Sequence, residues 1–85
     1  MFCWDEAKYQ SNVEKHKVSF DLASLIFDGL TVEWEDTRFA YGEVRNNAFG
    51  YLNSRLFTCT YAPRYGWRHV ISLRKANAKE VRIYG

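Results

Sequence analysis

Cysteine and histidine are scarce in this sequence: Cys3, Cys59, His16 and His69 are all it holds. The two cysteines are far apart and fit no zinc spacing, and no set of His, Cys or carboxylates has metal-ligand spacing. Neither a metal nor another cofactor is therefore expected, and the thiols are expected to be reduced, in a cytoplasmic protein. No apolar run approaches the ~20 residues that cross a bilayer, which argues against a membrane role. The opening Met1-Phe2-Cys3-Trp4-Asp5-Glu6 has no basic region followed by an apolar one, so it does not read as a signal peptide. Glycine-rich phosphate loops, internal repeats, linkers and low-complexity tracts are missing too.

Acidic residues are nearly missing from the second half. Residues 1–43 carry four cations against nine carboxylates, net −5, whereas residues 44–85 carry eight cations against Glu80 alone, net +7. Six of those eight cations precede the last expected helix, and five of the six are arginine, whose planar fork suits bidentate phosphate binding. Such asymmetry points to nucleic acid or an acidic protein as partner. The competing explanation is a solvated basic face that offsets the acidic half within the fold.

What is present is enough for one domain over residues 1–85. Hydrophobic residues make up 47% of the chain and aromatics 18%, which supports a modest core and argues against disorder. Residues 2–5 read as a small edge strand. Asp5 caps a helix that runs to about His16, with Lys8, Asn12, Lys15 and His16 along one polar face. Ser19 caps a second helix over 20–27, striped by Leu22, Leu25 and Ile26 and stopped at Asp28-Gly29. The period then changes to alternation, with Leu30, Val32 and Trp34 against Thr31, Glu33 and Glu35. A loop over 36–42, a strand over 44–52, a hairpin turn over 52–55 and a strand over 56–61 follow. Residues 62–66 are expected to turn the chain into the next strand.

That next stretch, 67–76, joins Val70, Ile71 and Leu73 to Arg68, His69, Arg74 and Lys75. Strict alternation puts Arg68, Val70, Ser72 and Arg74 on one face and His69, Ile71, Leu73 and Lys75 on the other. Unpaired buried charge is costly, so one end of the strand must open onto solvent or something negative. Asn77 and Glu80 have capping-box spacing before a closing helix over 78–84. The class is α+β: two N-terminal helices, an antiparallel sheet of about four strands and a short C-terminal helix.

Motifs along the whole chain resemble the BrnT family. Phe2-Cys3-Trp4-Asp5-Glu6-Ala7-Lys8, Asn12, Lys15-His16 and Val18-Ser19-Phe20 match its opening. Gly42-Glu43-Val44-Arg45 with Gly50, and Tyr61 with Arg64, match its middle; Ile71-Ser72-Leu73-Arg74-Lys75-Ala76, Glu80 and Tyr84 match its end. The resemblance implies a RelE-like fold and a ribonuclease toxin that arrests growth. It also implies neutralisation by a BrnA-like ribbon-helix-helix antitoxin, with operator DNA met only through that antitoxin. Two departures stand out. Lys17 replaces a usual glycine, and a left-handed backbone there costs a non-glycine residue roughly 1 kcal/mol. Asn46-Asn47 stands where hydrophobic strand residues are usual.

A metal-free ribonuclease needs a base for the ribose 2′-OH, cations for the charge growing at phosphorus, and an acid for the 5′-oxygen. Arg64 and Arg74 are the expected cations, with Lys75 and Arg45 in support. Arg45 is equally placed for a salt bridge to Glu43. For acid and base, His16 and Glu43 are candidates, with Tyr61 as a further one and His69 closer to a structural role. Tyr61 suits base stacking, and Arg68 suits RNA or antitoxin contact. A non-catalytic RNA-binding module and an interaction protein that docks through its basic face are the rival readings.

Overall fold

The computed structural model describes residues 2–37 and 42–85. Residues 38–41, within the expected loop, lie outside the described residues. Strand β1 (Phe2–Trp4) leads into α1 (Glu6–His16), where the Asp5 carboxylate accepts hydrogen bonds from the N–H groups of Ala7 and Lys8. Ser19 caps a 3-10 turn (Phe20–Leu22) that runs into α2 (Ala23–Phe27). Strands β2 (Thr31–Glu35), β3 (Asn46–Leu52), β4 (Arg55–Arg64) and β5 (Trp67–Lys75) precede α3 (Ala78–Tyr84). The Asn77–Glu80 capping box is complete, each side chain bonding the other residue's backbone N–H at 2.9 Å.

The sheet has five strands in the order β1-β5-β4-β3-β2, not about four, and it is mixed. β1 runs parallel to β5, Cys3 facing His69 across 66 positions of sequence. A three-residue strand carries no local signal of its partner, which is why the sequence yields the edge strand but not its pairing. β4 also runs further than the expected 56–61, and the turn shrinks to Tyr65-Gly66, with φ of 52° and 80°. Two positive φ values mark a tight hairpin turn whose twist matches the strands. Pro63 fits inside β4 because β3 pairing ends at Tyr61, leaving that end with one neighbour.

The alternation expected for β5 fails at one point. Thr60 faces Ser72 while Tyr61 faces Val70, so Ile71 is an extra residue in a β-bulge. The bulge reverses the parity of the strand. Val70 and Leu73, expected on opposite faces, are both fully buried in the main core with Phe20, Ile26, Phe57 and Cys59. Arg68 stays on that face, which α1 and α2 cover, and Arg74 lies on the other, beside α3. Across the outer face a second cluster gathers Phe49, Leu56 and Ala76 with Trp34.

The polar face of α1 is not turned wholly to solvent, because Asn12 is buried against β5. Its Nδ2 donates to the Leu73 carbonyl at 2.7 Å and to the Val18 carbonyl at 3.2 Å, while its Oδ1 accepts the Leu73 N–H at 3.2 Å. β1 pairs with β5 only as far as Val70. Beyond it, one side-chain amide satisfies both backbone groups of Leu73 in place of a neighbouring strand.

Two stability predictions follow from this geometry. Asn12→Ala strands a buried N–H and C=O, each costing about 1–3 kcal/mol, and a lowered melting temperature in thermal unfolding is the expected result. Lys17 sits at φ 59°, ψ 31°, so Lys17→Gly should stabilise by up to about 1 kcal/mol on denaturant titration. An unchanged midpoint would mean that the lysine bears no left-handed strain.

Candidate functional site

The edge of β5 beyond Val70 faces α1 across a groove of about 220 Å³. α1 carries Lys8, Ser11, Lys15 and His16 to one wall, and Ile71 and Ser72 form the other. Helical spacing explains the first set, since positions 8, 11, 12, 15 and 16 lie along one side of a helix. The bulge explains the second, by bringing Ser72 Oγ to 3.4 Å from Asn12 Oδ1. His16 is half-buried, and its pKa is held below 6.5 first by that burial, then by the charges of Lys15 and Arg74. Both burial and the neighbouring cations favour the neutral imidazole. Lys8 and Lys15 are exposed and form no ion pair among the described residues. The groove thus brings His16 beside two cations that form no ion pair among the described residues.

Arg74 lies on the outer face of the sheet. Its guanidinium grips Glu80 with both nitrogens, Nη1 to Oε1 at 2.7 Å and Nη2 to Oε2 at 2.9 Å. That bond is the main reason the Glu80 carboxyl is held below its usual range, and burial acts against it. The pair ties α3 to β5 beside a cavity of about 450 Å³ between α3 and the sheet, walled by Trp34, Asn47, Phe49, Thr58, Thr60 and Tyr84. Ser72 on the groove wall pairs with Thr60 on the cavity wall in the β4–β5 ladder, the groove lying on the α1 side of the sheet and the cavity on the α3 side.

The other expected residues are dispersed. Arg64 pairs with Glu43 through Nη2, at 2.9 and 3.1 Å to its two carboxylate oxygens, so Glu43 is engaged by Arg64. Arg64 faces Trp67 and Arg74 faces Thr58, six positions apart along β4. At 3.3 Å per residue the two arginines are about 20 Å apart and cannot hold one phosphate. Lys75 follows Arg74 but borders a different hollow with Leu52 and Phe57. Arg68 lies over the rings of Phe27, Tyr61 and Phe2, with Cζ 4.2, 5.4 and 5.7 Å from their centroids. Tyr61 is buried, and its hydroxyl donates to Glu33 at 2.6 Å. Arg45 precedes β3, its carbonyl accepting the Asp36 N–H.

His69 lies 3.3 Å from Cys3 Sγ, and its pKa is lowered mainly by burial. Cys59 is inert as a nucleophile, because burial pushes its thiol up to about 12. Among the described residues no group of three His, Cys, Asp or Glu could hold a metal, and no helix is long and apolar enough to cross a membrane. Lys8, Lys15 and Ser72 are the residues that sequence reasoning did not place in a site. The helical stripe containing both lysines was visible, but read only as a polar face.

An α+β chain with a basic groove beside a histidine belongs among candidate nucleic-acid enzymes. A family model described as the ribonuclease toxin BrnT of type II toxin–antitoxin systems matches residues 4–80. The chain belongs to that family. No curated protein matches it.

The Arg74–Glu80 pair has a pH signature. Glu80 binds a proton less readily folded than unfolded, so its contribution is complete above the ordinary value of 4.5 and is lost as pH falls through the lowered folded value. Melting temperatures measured between about pH 6 and pH 3 should fall less steeply for Glu80→Gln than for the wild type. Parallel curves would show that the pair adds nothing to stability.

Proposed function

We propose that the chain is a metal-independent endoribonuclease, the growth-arresting toxin of a type II pair with a RelE-like fold, and that its reaction site is the groove between α1 and β5. One observation carries this reading: His16 shares the groove with Lys8 and Lys15, neither of which forms an ion pair among the described residues. His16 takes the proton of a ribose 2′-OH. The 2′-oxygen attacks the adjacent phosphorus, the bond to the 5′-oxygen breaks, and a 2′,3′-cyclic phosphate and a 5′-hydroxyl result. Lys8 and Lys15 stabilise the charge growing on the phosphoryl oxygens, and the Lys15 ammonium, next to His16, gives a proton to the leaving oxygen.

Arg74 adds to the positive field on His16 from the outer face, with Lys75 at the same end of β5. Arg64 with Glu43, and Arg45 near them, contact flanking parts of the RNA strand. A ribbon-helix-helix antitoxin neutralises the toxin in the cytoplasm by covering the groove, and operator DNA is reached through it. The metal-independent chemistry is supported by the donor set, in which amines and an imidazole do the work of a Lewis acid and a bound hydroxide.

Purified protein should cut single-stranded RNA, and His16→Ala should lower the rate at least ~100-fold, the usual contribution of a general base. Wild-type rates should fall as pH drops through the lowered His16 value, below 6.5, because the protonated imidazole is no longer a base. Excess EDTA should leave the rate unchanged. RNA binding that weakens with salt, without any cutting, would replace the enzyme by a binding module. Activity lost with chelator and restored only by a divalent ion would end the metal-free mechanism.

A further inference from the structure

The cavity between α3 and the sheet plays no part in the reaction just described. Its floor is aromatic: Trp34, Phe49 and Tyr84 stack nearly parallel, with centroids 4.5–5.2 Å apart and interplanar angles of 16–22°. Set into that wall is a polar pair. Thr60 Oγ1 donates to Asn47 Oδ1 at 2.7 Å, which fixes the amide plane. The Asn47 NH2 has no hydrogen-bond partner among the described residues, although the side chain lines the cavity. A strand interior has no packing use for an asparagine, and a threonine that orients it gives the amide a fixed direction rather than burying it.

From this geometry we infer that the cavity is a subsite for one unpaired nucleobase of RNA, stacked on the exposed face of the Trp34–Tyr84 cluster and read along its edge by the Asn47 amide. The inference rests on the RNA reading given above and extends it to recognition. The volume, about 450 Å³, admits a base with its ribose. Stacking on aromatic side chains tolerates every base, and an oriented amide is what adds discrimination. Thr60 on the cavity wall pairs with Ser72 on the groove wall, so the two features share adjacent strands of the sheet, one on each face. Arg74, on the rim, supplies positive charge between the two.

The four nucleoside 5′-monophosphates test this without any scissile bond, so the result is independent of cleavage. In two-dimensional NMR they should shift the Asn47 side-chain NH2 and the Trp34 indole N–H in a saturable way, whereas inorganic phosphate and ribose 5-phosphate should not. Asn47→Leu and Tyr84→Ala should each weaken nucleotide binding about tenfold or more. Thr60→Val, which keeps the shape of the wall but frees the amide, should reduce the difference in affinity among the four bases. Shifts confined to Lys8, Lys15 and His16, or affinities unchanged in well-dispersed spectra of Asn47→Leu and Tyr84→Ala, would overturn the subsite. Nucleotide binding at Asn47 in a protein that cuts no RNA would leave the subsite standing and remove the enzyme.

Discussion

Leu73 sits at the point where β5 loses its outer neighbour. β1 stops at Trp4, opposite Val70, so a buried strand would present an unpaired N–H and C=O to the interior. Asn12 supplies both partners from one side chain and reaches the Val18 carbonyl as well. The helix can approach the strand with a polar residue leading only because that residue is an amide with donor and acceptor side by side. Once Asn12 is fixed, Lys8, Lys15 and His16 have no freedom of placement, since helical geometry carries them one turn to either side. The groove is thus a by-product of closing a sheet edge, and its rigidity comes from the core.

The bulge at Ile71 decides how the sheet divides its labour. An unbroken β5 would put Val70 and Leu73 on opposite faces, and one of the two would leave the main core. With one residue inserted, both are buried together, and Arg68 and Arg74 are sent to different faces. Arg68 becomes part of the packing, spread over three aromatic rings, an arrangement worth about 0.5–2 kcal/mol. Arg74 meets Glu80 instead. Glu80 is also half of the capping box, accepting the Asn77 N–H through the same Oε1 that meets Arg74. The start of α3 and the neutralisation of Arg74 are therefore one event.

Local chemistry was legible in the sequence, and non-local pairing was not. Asp5, Ser19 and the Asn77–Glu80 pair act within a few residues of themselves, so each helix start could be read directly. The strain at Lys17 was equally local. The parallel partner of β1 and the burial of Asn12 depend on contacts more than 60 positions apart, the bulge depends on the register of the β4–β5 pair, and a polar residue on a helix looks the same whether it faces water or a strand edge. The site suffered most from this. His16 was identified, but its lysine neighbours were not, because their relation to Ser72 exists only after β5 has been bulged and docked.

Charge shows the same limit in another form. The halves of the chain differ by twelve charges, which points to the basic second half as the contact surface. In the fold, three of those cations are engaged internally: Glu43 crosses from the acidic half to Arg64, Glu80 takes Arg74, and Arg68 lies against rings. The cations in the groove that form no ion pair among the described residues, Lys8 and Lys15, come from the acidic half. A phosphate responds to the field within about one Debye length, roughly 8 Å at physiological salt, and not to the sum over a stretch of sequence. Within that radius Lys8 and Lys15 act on the same small volume, whereas Arg64 and Arg74 each have a carboxylate partner that offsets part of their charge. The sequence asymmetry is real, and part of it holds loop and sheet together through Arg64 and Glu43. The binding field arises where the fold leaves cations without partners.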